Sequence, residues 1–261
     1  MDLISSKENK KIKYLKKLSA SAPFRRKEGV FVAEGLRLGG DARKSGAEVV
    51  TACFSESFLE KNGDFVEAAV AVAKEAFLLK DSIFSAASDT KTPQGVLFVI
   101  KRLDKNLDFD KIKDNGKVLA LETVQDPVNL GTILRTSEAL GIGAVVLTSD
   151  CCDVYSPKVA RGSMGAVFRL PVHITDDLPA FIERFNTFGT SFAAVLDEGS
   201  VSLPDCDFSG AALAVVGNEG NGLTELTMNA CKSKLYIPMR GKAESLNVSA
   251  AAGIIIWEMI Q

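Results

Sequence analysis

The sequence predicts an α/β protein of two domains, the second built on a mostly parallel sheet covered by helices. Three observations lead there. Six short runs in the second half, residues 118–121, 144–148, 168–172, 191–196, 211–216 and 235–237, are apolar throughout and are separated by helical patterns. Strands buried on both faces of a parallel sheet read this way. Polar or glycine-rich segments at 122–131, 197–200, 217–222 and 239–247 follow such runs, where open α/β sheets place their ligands. Residues 101–116 (KRLDKNLDFDKIKDNG) turn charged and poor in small apolar residues, the composition of a linker. The boundaries expected are a first domain over 1–105, a linker over 106–116 and a second domain over 117–261. A chain of 261 residues, 46% hydrophobic and 25% charged, has the material for both cores.

In the first domain, residues 7–18 predict a helix with Ile12, Leu15 and Leu18 inward and lysines elsewhere. A polar SASAP break ends it at Pro23, and Arg25, Arg26 and Lys27 follow at once. Then come a strand at 30–33, Glu34-Gly35, a helix to about Lys44, a strand at 48–54, an alanine-rich helix around 65–74 and a last strand at 95–100. Residues 1–44 carry 12 Lys and Arg against 5 Asp and Glu, which leaves 19 against 28 for the remainder of a chain whose net charge is −2. A cationic lobe on an acidic protein steers toward a phosphate backbone, and a solvated lysine face has the same composition. Lys10, Lys11, Arg25, Arg26, Lys27 and Arg37 are the candidate RNA contacts.

The second domain holds three polar constellations. In the first, Asp126-Pro127 turns the chain, Asn129 is a natural helix N-cap, Gly131 permits close approach, and Arg135 follows two turns in. Arg135 is either a surface partner for Glu138 or for a dimer mate, or a planar fork for a phosphate or carboxylate. In the second, GNEGNG at 217–222 sets three glycines around Asn218, Glu219 and Asn221 after an apolar strand. It is a tight connection, or bare backbone facing an adenosine-like ligand. It fits neither the Walker nor the Rossmann pattern, and the anionic Glu219 suits a cationic ligand better than a triphosphate. In the third, Ile237-Pro238-Met239 ends a strand, an RGKAE loop follows, and Ser245-Leu246-Asn247 opens a helix, VSAAAGIIIWEMI, that is apolar nearly all round. Such a helix is buried on several sides, a second subunit being the economical cover. Ser245 and Asn247 are caps, or caps that also line a cleft.

Other chemistries find little support. The five cysteines, Cys53, Cys151, Cys152, Cys206 and Cys231, lack CxxC or histidine spacing, so neither disulfides nor a metal site are expected. His173 is the one histidine; it reads as structural and leaves little scope for histidine-centred hydrolysis. No run reaches the length of a membrane span, and the start has no apolar core of a secretory signal. A cytoplasmic protein is expected.

Asn129-x-Gly131 with Arg135, then Gly217-Asn218-Glu219-Gly220, then Ile237-Pro238-Met239 with Ser245-Leu246-Asn247-Val248-Ser249, resemble the three ordered motifs of the SpoU/TrmH family of S-adenosyl-L-methionine-dependent RNA 2′-O-methyltransferases, in the SPOUT superfamily. The similarity spans about 117–261 and includes the connecting region SPKVARGSMGAVFRLPV. Residues 1–105 are similar, less specifically, to the L30e-like substrate-binding domain that precedes many members. The resemblance implies a SPOUT α/β-knot, a trefoil-knotted C-terminal segment that holds the donor, and a homodimer. Periodicity alone suggests no knot. The resemblance further implies donor contacts from Leu196, Gly217, Asn218, Gly220, Ile237, Met239, Ser245, Leu246 and Asn247. It makes Asn129, Arg135, Glu219, Ser245 and Asn247 the polar active-site set, without a metal.

The family proposal makes the residue at Arg135 a base. A guanidinium stays protonated, so the preferred reading is that Arg135 clamps a phosphate beside the target ribose while Asn129 orients the hydroxyl. Glu219 then organises its loop, and Ser245 with Asn247 fixes the donor. The expected substrate is 23S rRNA rather than tRNA. The competing reading is a non-catalytic RNA-binding or ribosome-assembly protein.

Overall fold

The structure, a computed structural model, describes residues 1–103, 107–114, 116–218 and 220–261, so Glu219 and part of the expected linker lie outside the described residues. Two compact units result: Met1–Leu103 with Asp153–Phe168, and Asp104–Cys152 with Arg169–Gln261.

The first unit runs β1 (Asp2–Ile4), α1 (Lys10–Ala20), α2 (Ala22–Glu28), β2 (Val30–Glu34), α3 (Leu36–Lys44), β3 (Val49–Ser55), α4 (Glu56–Lys61), α5 (Gly63–Val70), β4 (Glu75–Leu79), α6 (Asp81–Ala87) and β5 (Val96–Lys101). Its sheet has the order β1-β4-β3-β5-β2, with β5 antiparallel to β2 and β3 and the other pairs parallel. Asn9 caps α1 by accepting from the Lys11 amide at 2.8 Å, and Ile12, Leu15 and Leu18 are buried as the spacing predicts.

Two expectations fail in this unit. Residues 22–28 are helical, because Ser21 accepts from the Phe24 amide at 3.3 Å and Pro23 sits in the first turn, where its missing N–H costs nothing. Gly29, at φ 66°, ends that helix. The alanine-rich helix stops at Val70, and Glu75–Leu79 forms β4 between β1 and β3. The helix-favouring Lys74, Glu75 and Ala76 masked that strand, and pairing on both edges overrides their preference.

The second half continues with β6 (Lys117–Leu121), α7 (Pro127–Ala139), β7 (Ala144–Thr148), α8 (Pro157–Gly162), α9 (Ala166–Arg169), β8 (Val172–Thr175), α10 (Leu178–Phe185), β9 (Thr190–Ala194), β10 (Val201–Ser202), β11 (Ala212–Val216), α11 (Glu225–Ala230), β12 (Ser233–Tyr236) and α12 (Val248–Met259). The sheet of the second unit has the order β10-β12-β9-β11-β6-β7-β8, and every pair is parallel. The strand expected at 168–172 is a correction: Phe168 belongs to α9, and the strand begins only at Val172, after Pro171. Within the stretch expected as linker, Phe109–Lys111 forms one 3₁₀ turn and Ile112 is buried in the core beneath the sheet.

Residues 153–168 complete the core of the first unit. The Tyr155 ring lies 4.8 Å from that of Phe31, and its hydroxyl accepts from the Leu103 amide at 3.0 Å. Arg25 is 3% exposed; its guanidinium pairs with Asp153 at 2.7 Å and donates to the Leu18 and Ser19 carbonyls at 2.6 and 2.9 Å. This corrects the reading of Arg25 as an RNA contact, since every direction of its fork meets protein.

Strand β11 lies between β9 and β6. The chain builds outward from β6 to β8 on one side, then returns to the other, and the carboxyl ends on either side of such a reversal leave a crevice. Helix α12 packs on α7 and β11 through Val248, Ala252, Ile255, Ile256 and Met259. It leaves Ile254 and Trp257 42% and 55% exposed. Among the described residues, no helix is long and apolar enough to cross a membrane.

Candidate functional site

The first constellation is built by the start of α7. Asp126, not Asn129, caps this helix: its carboxylate accepts from the Val128 amide at 2.8 Å, with Pro127 in the first turn. Asp and Asn both cap well, and proline at the first helical position decides in favour of the residue before it. Asn129 is thereby carried into the helix and buried. Arg135 is exposed and, among the described residues, has no ion-pair partner. Glu138 pairs instead with Arg169 at 2.7 Å, so the proposed Arg135–Glu138 surface pair does not form.

The third constellation meets the first. Asn247 caps α12, its Oδ1 accepting from the Ser249 amide at 2.9 Å and the Ser249 hydroxyl at 2.6 Å. Its Nδ2 donates to Asn129 Oδ1 at 3.1 Å. One side chain thus starts the last helix and ties it to α7.

The second constellation is a closed loop. Asn218 and Gly222 exchange backbone hydrogen bonds at 3.0 and 2.9 Å. A Cβ on Gly217 would lie 2.3 Å from the Gly222 carbonyl carbon, closer than atoms approach, so only glycine permits the closure. Asn218 Oδ1 accepts from the amides of Gly220 and Asn221 at 2.8 and 3.1 Å, and its Nδ2 donates to the Thr123 carbonyl at 2.8 Å.

Between these segments, at the carboxyl ends of β9, β11 and β12, lies a cavity of about 320 Å³, within the range of small-ligand sites. Leu196, Gly217, Asn218, Ile237, Met239, Ser245 and Leu246 all line it. Gly220, Asn247, Asn129 and Arg135 do not, although Asn247 stands between the lining residues Leu246 and Val248. Sequence reasoning did not single out Tyr236, Leu223 or Glu244, which also line it; Glu244 lay within the predicted loop, where its charge was the available signal. Glu244 is the one charged side chain of the lining, and no Lys or Arg joins it among the described residues. Such a wall favours an apolar ligand with a cationic centre over a phosphate, and S-adenosyl-L-methionine, a sulfonium nucleoside, meets that description. A larger hollow of about 740 Å³ opens beside Lys117, Phe208 and Glu258, but it lies at the amino end of β6, away from the strand ends that carry the polar loops.

In the first unit, Lys10, Arg26, Lys27 and Arg37 are exposed, whereas Lys11 is paired with Glu75 at 2.7 Å. His173 lies in β8 with its ring 5.9 Å from that of Phe181. All five cysteines stand outside any disulfide, and among the described residues no cluster of three His, Cys, Asp or Glu could hold a metal ion.

Residues 116–257 match the SpoU rRNA methylase family, and residues 9–97 match the MRM3-like substrate binding domain. The chain is 31% identical over 259 residues to the 23S rRNA (guanosine(2553)-2′-O)-methyltransferase RlmP of Bacillus subtilis, which covers 99% of each protein. It is also 31% identical over 256 residues to an uncharacterized tRNA/rRNA methyltransferase of Synechocystis sp., across 98% of this chain and 92% of that one. The crystal structure of an AdoMet-bound rRNA methyltransferase from Sinorhizobium meliloti superposes with a TM-score of 0.89 at 27% identity, covering 99% of this chain and 97% of the other.

Proposed function

The chain belongs to the SpoU rRNA methylase family, and from that premise we propose that it methylates a ribose 2′-hydroxyl of 23S rRNA with S-adenosylmethionine as donor. One observation carries this reading above the others. The Asn247–Asn129 hydrogen bond of 3.1 Å joins the first and third motifs, 118 residues apart, beside a cavity walled by the second. Relatives named for 23S rRNA 2′-O-methylation and a neighbour crystallised with AdoMet support it.

When bound, S-adenosylmethionine supplies an electrophilic methyl group on a sulfonium, open to in-line displacement by a hydroxyl. This chain's residues do the placing, which by itself removes several kcal/mol from such a barrier, about 7–11 in well-oriented systems. Leu196, Gly217, Ile237 and Leu246 form the wall that holds the nucleoside, and Glu244 offsets its positive charge. Ser245 fixes the donor side and Asn247 keeps α12 in register with α7. Arg135, exposed and without an ion-pair partner among the described residues, presents its planar fork to an RNA phosphate, while Asn129 orients the target hydroxyl. Glu219 is assigned to organising its loop on sequence alone.

The first unit presents the RNA through Lys10, Arg26, Lys27 and Arg37. We take residues 1–105 as the RNA-presenting domain, 106–116 as the linker and 117–261 as the transferase domain, and the substrate places the work in the cytoplasm. Two copies pair through α12, whose Ile254 and Trp257 are otherwise left to water. The C-terminal segment is knotted; β12 lies between β9 and β10, which follow one another directly in sequence, and this supports it.

Incubation with methyl-labelled S-adenosylmethionine and 23S rRNA transcribed without modifications tests the proposal. Label in an alkali-resistant dinucleotide is expected. A folded protein that binds the donor yet labels neither rRNA nor tRNA refutes ribose methylation, and one that binds RNA but no donor favours the assembly-protein reading.

A further inference from the structure

We propose that Glu122 is a positioning residue for the transfer reaction: its buried carboxylate pins the far foot of the Gly217–Gly222 loop and so holds the donor-side wall in shape. The proposal rests on the functional reading above and names a residue that touches neither substrate nor donor.

Glu122 follows directly on β6 and is 6% exposed. Its Oε2 accepts from the Thr224 amide at 2.8 Å. Its Oε1 accepts from the hydroxyls of Thr224 at 2.8 Å and Thr227 at 2.6 Å. Thr227 is fully buried, and Thr224 is the cap of α11, receiving the Thr227 amide at 3.3 Å. A carboxylate that accepts three hydrogen bonds fixes its partners far more firmly than a neutral side chain, and the three donors come from two threonines rather than from a cation. Its partners lie 102 and 105 residues away in sequence.

The consequence is a loop fastened at both feet. At the near foot, Asn218 Nδ2 donates to the Thr123 carbonyl at 2.8 Å. At the far foot, Glu122, the residue before Thr123, holds Thr224. The backbone continues the same attachment, since the Glu122 amide donates to the Val216 carbonyl at 2.9 Å. Between the feet the loop closes through Asn218 and Gly222, and Gly217, Asn218, Gly222 and Leu223 line the donor cavity. Two residues at the end of β6 therefore set the loop, and the same strand end leads into α7 with Asn129 and Arg135.

The test compares Glu122→Ala and Glu122→Gln with the unchanged protein by two readouts. Amide hydrogen exchange without ligand reads the fastening itself, and calorimetry with S-adenosylmethionine reads its effect, both at a temperature where all three proteins are folded. Glu122→Ala is expected to speed exchange over 217–224 while β11 and α12 keep their protection, and to weaken donor binding at least tenfold. Glu122→Gln keeps one carbonyl oxygen, and the two threonine hydroxyls can rotate to accept from its amide, so donor binding within about threefold of the original is expected. Loop exchange unchanged in Glu122→Ala overturns the positioning role, as does equal loss in both variants with exchange raised everywhere, the mark of general destabilisation. A protected loop in the original protein that binds no donor overturns the functional reading instead.

Discussion

Arg25→Met separates the role the sequence suggests for Arg25, a cation for RNA, from the role its contacts give it, a brace for the first unit. The side chains of Arg25 and Asp153 are 4% and 9% exposed. Removing the guanidinium strands a buried carboxylate and frees the Leu18 and Ser19 carbonyls near the end of α1. Breaking such a pair from one side costs about 3–5 kcal/mol, which lowers a melting temperature by roughly 6–20 °C in a protein of this size. Thermal denaturation of Arg25→Met should show that loss. The double variant with Asp153→Leu should recover much of it, because no charge is then left buried alone. Arg26→Met, on the same helix but exposed, should melt within about 0.5 kcal/mol of the original and reduce the salt slope of RNA binding by about one. An Arg25→Met protein that melts like the original but loses RNA affinity with a reduced salt slope refutes the brace.

Gly217→Ala places a Cβ 2.3 Å from the Gly222 carbonyl carbon; donor affinity measured by calorimetry should fall at least tenfold while RNA affinity holds. Arg135→Lys retains the charge but not the fork, so kcat/KM for RNA should drop at least tenfold with the donor Kd unchanged, and full turnover would remove the phosphate clamp. Trp257→Glu puts a charge on the exposed apolar stripe of α12; if two copies pair there as proposed, sedimentation should find the original protein as a dimer and the variant as a monomer. Burial pushes the Cys53 and Cys231 thiols up to about 12, so a thiol reagent at pH 8 should leave both unmodified in the native protein and react with all five cysteines after denaturation. The sign of the linkage follows: the folded values lie above the ordinary value of 9.0, so their contribution to stability is complete below about pH 9 and is lost as pH rises toward 12, which denaturant midpoints at pH 8 and 10.5 would show.

What the sequence made legible depended on whether a signal was local. Strands β6, β7 and β11 are short apolar runs closed by glycine or polar residues, and they lie within a residue or two of where periodicity puts them. The polar loops at 122–131, 217–222 and 239–247 follow strand ends as expected, because a parallel sheet leaves its carboxyl ends to loops. The misreadings have physical causes. At 126–129 two candidate caps compete, and the proline at the first helical position favours the residue just before it; at 22–28 Ser21 caps a helix that holds Pro23 in its first turn, where the sequence reads as a break. At 75–79 helix formers occupy a strand position, and pairing on both edges wins. Arg25 reads as a surface cation because its acceptors are an aspartate 128 residues away and two main-chain carbonyls, none of them visible in the neighbouring sequence.

The polar groups of the candidate site share one more property that sequence pattern can only half disclose: several hold two elements together with one side chain. Asn247 must cap α12 before its amide can reach Asn129, and Asn129 receives it from inside α7, whose cap is Asp126. Asn218 closes its loop with one end of its amide and fastens the loop to Thr123 with the other. A cap alone is replaceable by Ser, Thr or Asp at small cost. Here such replacement would keep the helix and lose the reach, because none of those side chains can both accept from the helix amide and donate across to a second residue in the same geometry. Asn247→Asp is the sharpest case. It should preserve or slightly raise α12 stability, a carboxylate at a helix N-terminus being favourable, while facing Asn129 Oδ1 with an acceptor in place of a donor. Stability and transfer then part company at a single atom, as expected wherever element ends are also the walls of a site.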